Sequence, residues 1–230
     1  MEDREVITEI IGDNNSNHAI FYIHGFGENR YDGGDLLRDV AKSLPAFKNV
    51  LFDLNVEGAQ GLTLNTLATQ AERIQAVFEE HKTNKYSVIA HSMGCLLAAE
   101  NQQLLQGAKK IIFLAPAAED LHQTLQDAFK SRVPEFDVSS EMKIPRSNGT
   151  ITTIPAEFWR ELKNKTPKKT ILGVSDSPQM HVIAAKNDEV LADNIFLSSE
   201  TTNLQILDDN HNFSLKRDEL CSAIQGIMSS

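Results

Sequence analysis

The stretch "YSVIAHSMGCLLAA", residues 86–99, decides how the rest of the chain is read. Its first five residues, "YSVIA", are a run with strand propensity, carried by Tyr86, Val88 and Ile89. From Met93 onward the residues make a helix-like apolar run. Ser92 stands between the two, with Gly94 two positions later. A buried strand would be better served by a valine at that point, so the serine needs a reason.

Outward from this stretch the chain alternates short apolar strands with amphipathic helices. "AIFYIH" (19–24) and "NVLFDL" (49–54) are continuous apolar runs, as expected of strands covered on both faces. "REVITEII" (4–11) alternates with period two and reads as an edge strand. "KKIIFLAP" (109–116), "QMHVIAAKND" (179–188) and "NLQILDD" (203–209) are three more strands. Helical spacing is carried by Leu37, Val40, Ala41 and Leu44. Leu64, Leu67, Ala71, Ile74 and Phe78 carry it again, and a last helix over 215–228 turns Leu220, Ile224 and Ile227 to one side. A helix is expected from Met93 to Leu105. This order predicts an α/β fold with a mostly parallel sheet flanked by helices on both faces.

One segment breaks the alternation. Residues 117–170 separate two strands by more than a crossover needs. "HQTLQDAFKSR" reads as helix, "VPEFDVSSEMKIPRSNGT" as loop, and "PAEFWRELKNK" as a helix opened by Pro155. The expectation is a single domain, 1–230, carrying a lid or cap insertion at 117–170.

"AHSMG" (90–94) resembles the nucleophile elbow of the α/β-hydrolase family, with Ala90 where glycine is commoner. In that family the serine is raised above the carboxyl edge of the sheet, at the start of a helix. The resemblance therefore explains why the strand ends in Ser92. "HGFG" (24–27) is similar to the family's glycine-rich loop, which makes Phe26 and Met93 the implied backbone donors of an oxyanion hole. "AAKNDEVL" (184–191) lies where the family keeps its carboxylate, and the implied acid is Asp188, with Glu189 and Asp193 as competitors. "DDNHNF" (208–213) places His211 between the last strand and the last helix, in the order Ser, Asp, His. His24 reads as a loop-stabilising residue and His91 as pointing away from the attacking face. His18, His81 and His122 read as loop or helix-surface residues, and His181 as mid-strand.

The resemblance covers 4–228 and implies two-step acyl transfer on Ser92, with His211 as base and Asp188 as its orienting acid. The implied substrate is a small-molecule carboxylic ester or thioester. Amide or C–C bond hydrolysis, or a non-catalytic ligand-binding role, stays open. No metal or other cofactor is called for. Phe158, Trp159 and Leu162 form an apolar helical patch that suits either acyl-pocket lining or the core of the cap.

Composition narrows the remaining classes. The net charge of −10 argues against nucleic acid and against an anionic membrane surface. Two cysteines, Cys95 and Cys221, have no metal or redox spacing, so a reducing cytoplasm is expected and Cys95 reads as a small core residue. The charged start "MEDREVITEI" has no signal-peptide core, and no stretch is long and apolar enough for a membrane span.

Overall fold

The computed structural model describes residues 5–130, 132–133, 135–146, 149–175, 177–191, 196 and 203–230. Its main sheet has seven strands: β1 (Thr8–Gly12), β2 (His18–Ile23), β3 (Lys48–Phe52), β6 (Lys85–His91), β7 (Ile111–Leu114), β10 (Met180–Ala185) and β11 (Leu204–Leu207). Their spatial order is β1-β3-β2-β6-β7-β10-β11. Only β1 runs antiparallel to its neighbour, and it is the edge strand its alternation predicts. Strands β2, β6, β7 and β10 are buried almost throughout, which is why they read as unbroken apolar runs.

Helices cover both faces. On one lie α1 (Leu36–Ser43) and α8 (Arg217–Ser229), which bury Leu36, Leu37, Val40, Ala41, Leu220 and Ile224 against Ile20, Leu51, Ile89 and Ile183. On the other lie α2 (Leu67–His81) and α3 (Met93–Glu100). The Thr66 hydroxyl caps α2 by accepting the Thr69 amide at 3.2 Å. In α3 every residue from Met93 to Ala99 is buried, so it behaves as a core helix.

The helix expected over 93–105 is broken. Asn101 leaves helical geometry (φ −92°, ψ 80°), and its side chain caps a separate turn, α4 (Gln102–Leu105), by accepting the Leu104 amide. Asparagine bonds its own neighbouring backbone more readily than it continues a helix.

The segment 117–170 carries α5 (Leu121–Lys130) and α6 (Ala156–Lys163), near where their sequences put them, and runs into α7 (Pro167–Ser175). The stretch read as loop is corrected. It contains β8 (Met142–Pro145), which pairs antiparallel with β9 (Ile151–Ile154). Two short strands after β3 were also not expected, β4 (Val56–Gly58) and β5 (Gly61–Thr63). All four join in a second sheet, β4-β5-β9-β8. Met142 and Ile144 alternate with exposed Lys143 and Pro145, a period-two pattern too short to stand out among charged neighbours.

Gly94 sets how closely α3 can approach β2. A Cβ there would stand 2.5 Å from the Ile23 carbonyl oxygen and 2.6 Å from that of His24. Gly226, exposed on α8, has open space around it. Gly94→Ala should therefore cost about 1–3 kcal/mol by overpacking. Gly226→Ala should gain about 0.5–1 kcal/mol of helix propensity. Urea midpoints of the two variants measure both signs; equal midpoints would remove the steric account of Gly94.

Candidate active site

Ser92 sits at the junction of β6 and α3 with φ 53° and ψ −122°, a conformation few non-glycine residues adopt. The strain is held by three backbone bonds. The Ser92 amide donates to the Leu114 carbonyl at 2.9 Å, and the Ser92 carbonyl accepts from Cys95 and Ala117. Ser92 is almost fully buried. Its Oγ lies 3.0 Å from His211 Nε2.

His211 follows β11 and is buried. Its Nδ1 meets Asp188 Oδ2 at 2.8 Å, while Asp188 Oδ1 accepts the amides of Val190 and Leu191. Burial works against the Asp188 anion, but the bonds from His211 and these two amides outweigh it and hold the carboxyl below its ordinary range. The competing acid does something else: Glu189 Oε2 accepts the His211 main-chain N–H at 3.0 Å. One acid thus holds the imidazole and the next holds the backbone beneath it. Asp193 lies outside the described residues.

The loop after β2 passes close to Ser92. A Cβ on Gly25 would come within 3.2 Å of the serine's own Cβ. Neither the Phe26 nor the Met93 amide has an acceptor among the described residues. The Phe26 ring rests on Phe129 of α5 and Phe158 of α6, with centroids 5.9 and 5.6 Å away. Arg146, from the end of β8, bonds the Gly27 carbonyl and the Thr152 hydroxyl and reaches Glu28 at 3.5 Å. Glu28 is raised to about 7 by burial, against the pull of Arg146. A polar cavity of about 370 Å³ opens here between Glu28, Tyr31, Leu62 and Arg146; Ser92 is not one of its walls.

Two further histidines lie under the site. His24 Nε2 accepts the Leu54 amide at 3.0 Å, so its proton is on Nδ1, which donates to the Gly25 carbonyl. Burial keeps it below an ordinary imidazole, and its part is to hold the loop, as read. His91 is buried, with Nδ1 2.9 Å from Asp32 Oδ2 and Nε2 3.1 Å from the His211 carbonyl oxygen. Its ring is 4.9 Å from that of His211. Burial disfavours its cation, but the Asp32 charge and hydrogen bond prevail and raise it. Asp32, also buried, is brought down to about 2 against the same burial penalty, chiefly by His91. His18 is corrected: it opens β2 and its Nε2 meets the Ser87 hydroxyl at 2.9 Å.

Phe158, Trp159 and Leu162 are all buried in the main core. Trp159 packs on His122 and Phe136, and its Nε1 has no partner among the described residues. Cys95 is buried with its thiol turned to the Ala90 carbonyl, and burial raises it well above its ordinary value. Asp32 and Arg146 were not legible as site residues, since no spacing in "ENRYDGGD" or around "KIPR" singles them out; Glu189 was read only as a competing acid and His91 as pointing away from the attacking face.

The lowered Asp32 carboxyl fixes a pH dependence. Its anion stabilises the fold above its unfolded value of 3.8, and that contribution is lost as pH falls through about 2. Its size is on the order of 2 kcal/mol. Asp32→Asn should be less stable than the wild type by at least about that much near pH 6. The gap should narrow steadily as pH drops below 4. Urea melts at pH 6 and pH 3 check it, and a gap independent of pH would contradict it.

No family model and no curated protein matches the chain. Solved structures do. Est1E from Butyrivibrio proteoclasticus with ferulic acid bound matches over 97% of this chain and 94% of its own, at 15% identity and TM-score 0.69. A proline iminopeptidase-related protein from Thermus thermophilus matches over 99% and 94%, at 18% identity and TM-score 0.69. The Paleococcus ferrophilus monoacylglycerol lipase matches over 98% and 99%, at 13% identity and TM-score 0.63. At such identities the likeness is one of architecture, and it runs nearly end to end: the chain has the α/β-hydrolase fold.

Proposed function

We propose that the chain is a serine hydrolase that cleaves a small-molecule carboxylic ester or thioester through an acyl-enzyme on Ser92. One observation carries the reading: Ser92 Oγ, His211 and Asp188 stand in line at 3.0 and 2.8 Å. With its Nδ1–H donated to Asp188, His211 presents a lone pair at Nε2. As Ser92 Oγ attacks the acyl carbonyl, that lone pair takes the hydroxyl proton, and Asp188 stabilises the imidazolium that results. The Phe26 and Met93 amides, the second at the N-terminus of α3, receive the oxyanion. The imidazolium then protonates the leaving alcohol or thiol. Water, deprotonated by His211, resolves the acyl-enzyme by the same steps in reverse order. The reading needs neither metal nor organic cofactor.

The segment 117–170 is assigned as a cap within a single domain, 1–230. Phe129 and Phe158 packed on Phe26 support this, as does the Arg146 bond to the Gly27 carbonyl, since both brace the loop from outside. Phe158, Trp159 and Leu162 then shape the acyl site from behind, through Phe26. No helix among the described residues is long and apolar enough to cross a membrane. Free Cys95 and Cys221 suit a reducing cytoplasm.

A panel of p-nitrophenyl esters of graded chain length, acyl-CoAs, methyl ferulate and aminoacyl amides tests the reading; ferulate is included because Est1E binds it. Esters or thioesters should turn over, and Ser92→Ala should lose ~10³-fold or more in kcat. Turnover of amides alone would move the scissile bond, and no turnover of any substrate would favour a binding role. Asp188→Asn should cost a comparable factor, as expected where the acid sets the tautomer of the base.

The cap assignment has its own test. Phe158→Leu should shift preference among acyl chain lengths while leaving reactivity toward a small fluorophosphonate within about two-fold, since trimming the support behind Phe26 changes apolar contact by only ~1 kcal/mol. A loss of thermal stability with no change in preference would make Phe158 core alone.

A further inference from the structure

We infer that Asp32 and His91 form a permanent buried ion pair that positions His211, the doubly protonated His91 ring holding its main-chain carbonyl while Asp32 holds the loop that bears Phe26. The inference rests on the reading of His211 as the base. Asp32 Oδ2 accepts the Gly25 amide at 2.8 Å, and Oδ1 accepts the Gly33 amide at 2.7 Å. Both oxygens are thus committed as acceptors, and His91 Nδ1 faces Oδ2 at 2.9 Å. On the other side His91 Nε2 faces the His211 carbonyl oxygen, which can only accept.

A neutral imidazole has one N–H. Whichever nitrogen lacked it would set a lone pair against an oxygen lone pair in a dry interior, since both side chains are only 2% exposed. With Asp32 ionised, as its lowered carboxyl requires, two acceptors on opposite sides therefore demand two protons on the ring. His24, at the start of the loop that bears Asp32, is the contrast: a backbone N–H faces one of its nitrogens, and it is neutral.

The backbone points the same way. Asp32 has φ 62° and ψ −179°, a conformation otherwise nearly confined to glycine. Such strain persists only where the surroundings over-determine it, and here the carboxylate receives Gly25, Gly33 and His91 together. The result is a chain of bonds from the Gly25 amide through Asp32 and His91 to the His211 carbonyl. It joins the loop that carries one oxyanion donor to the loop that carries the base. With Glu189 on the His211 amide, the histidine backbone is held at both its N–H and its C=O.

The charged and titratable groups facing His91 are Asp32, Asp188, Glu28, His24 and His211. Imidazole nitrogen NMR on the ¹⁵N-labelled wild type tests the ion pair with no variant. Both His91 nitrogens should keep imidazolium shifts from pH 5 to 9, and a neutral tautomer at pH 7 would overturn the pair. In Asp32→Asn the His91 ring should titrate within that range. The rate of fluorophosphonate labelling in that variant should fall at least 10-fold below wild type at pH 8, and the deficit should narrow toward pH 6, where His91 regains its second proton. Wild-type labelling rates in Asp32→Asn at every pH would overturn the positioning role. A wild type that does not label at all would remove the base on which the role depends, while the spectra would still decide the ion pair.

Discussion

The site depends on how closely the helix after Ser92 lies against the end of β2, at Ile23 and His24. Gly94 has no Cβ because the carbonyl oxygens of Ile23 and His24 occupy the place where one would be. With the helix drawn in that far, the chain has only one residue in which to turn from strand to helix. Ser92 takes the whole bend, at φ 53° and ψ −122°. A strained residue of this kind costs on the order of 1–3 kcal/mol and survives only where neighbours hold it. The Leu114 carbonyl and the amides of Cys95 and Ala117 do so. The same bend projects Oγ toward His211 and leaves the Met93 amide unclaimed at the helix start. Packing, strain and the placing of the serine hydroxyl are here one constraint.

The surrounding polar network is consistent with that constraint because each member has its proton placed by its partners. His211 donates to Asp188 and faces a hydroxyl. His24 accepts from one backbone group and donates to another. His91 faces an acceptor on either side. Buried polar groups are costly when left unpaired and rigid when fully paired, so a network like this fixes geometry more firmly than apolar packing would. The segment 117–170 adds to the rigidity from outside. Arg146 takes the Gly27 carbonyl, and Phe129 and Phe158 close on Phe26, so the loop beside the serine is braced by residues more than a hundred positions away.

The parallel sheet was legible because its strands are buried on both faces and so read as plain apolar runs. The placing of Ser92, Asp188 and His211 was legible because each falls just past a strand end, where such a fold collects its chemistry. The hairpin β8–β9 was not, because two four-residue strands carry too little pattern. Nor was the Asn101 break, where a local side-chain bond wins over an otherwise continuous helical stripe. Asp32 and His91 were hidden for another reason. Their partnership crosses 59 positions and is made by the close approach of a loop to the end of β6, which no local spacing records. The choice between Asp188 and Glu189 likewise needed the fold. Adjacent acids on one loop look equivalent in sequence, yet one meets the ring and the other the amide.

The central claim is that Ser92 is the atom acylated. Its most direct test is peptide mapping by mass spectrometry after reaction with an alkyl fluorophosphonate under native conditions. The account predicts one adduct per chain, located on Ser92 in the peptide containing "AHSMG", and no adduct in the urea-unfolded protein. An adduct on another residue, or equal labelling of folded and unfolded chains, would contradict it.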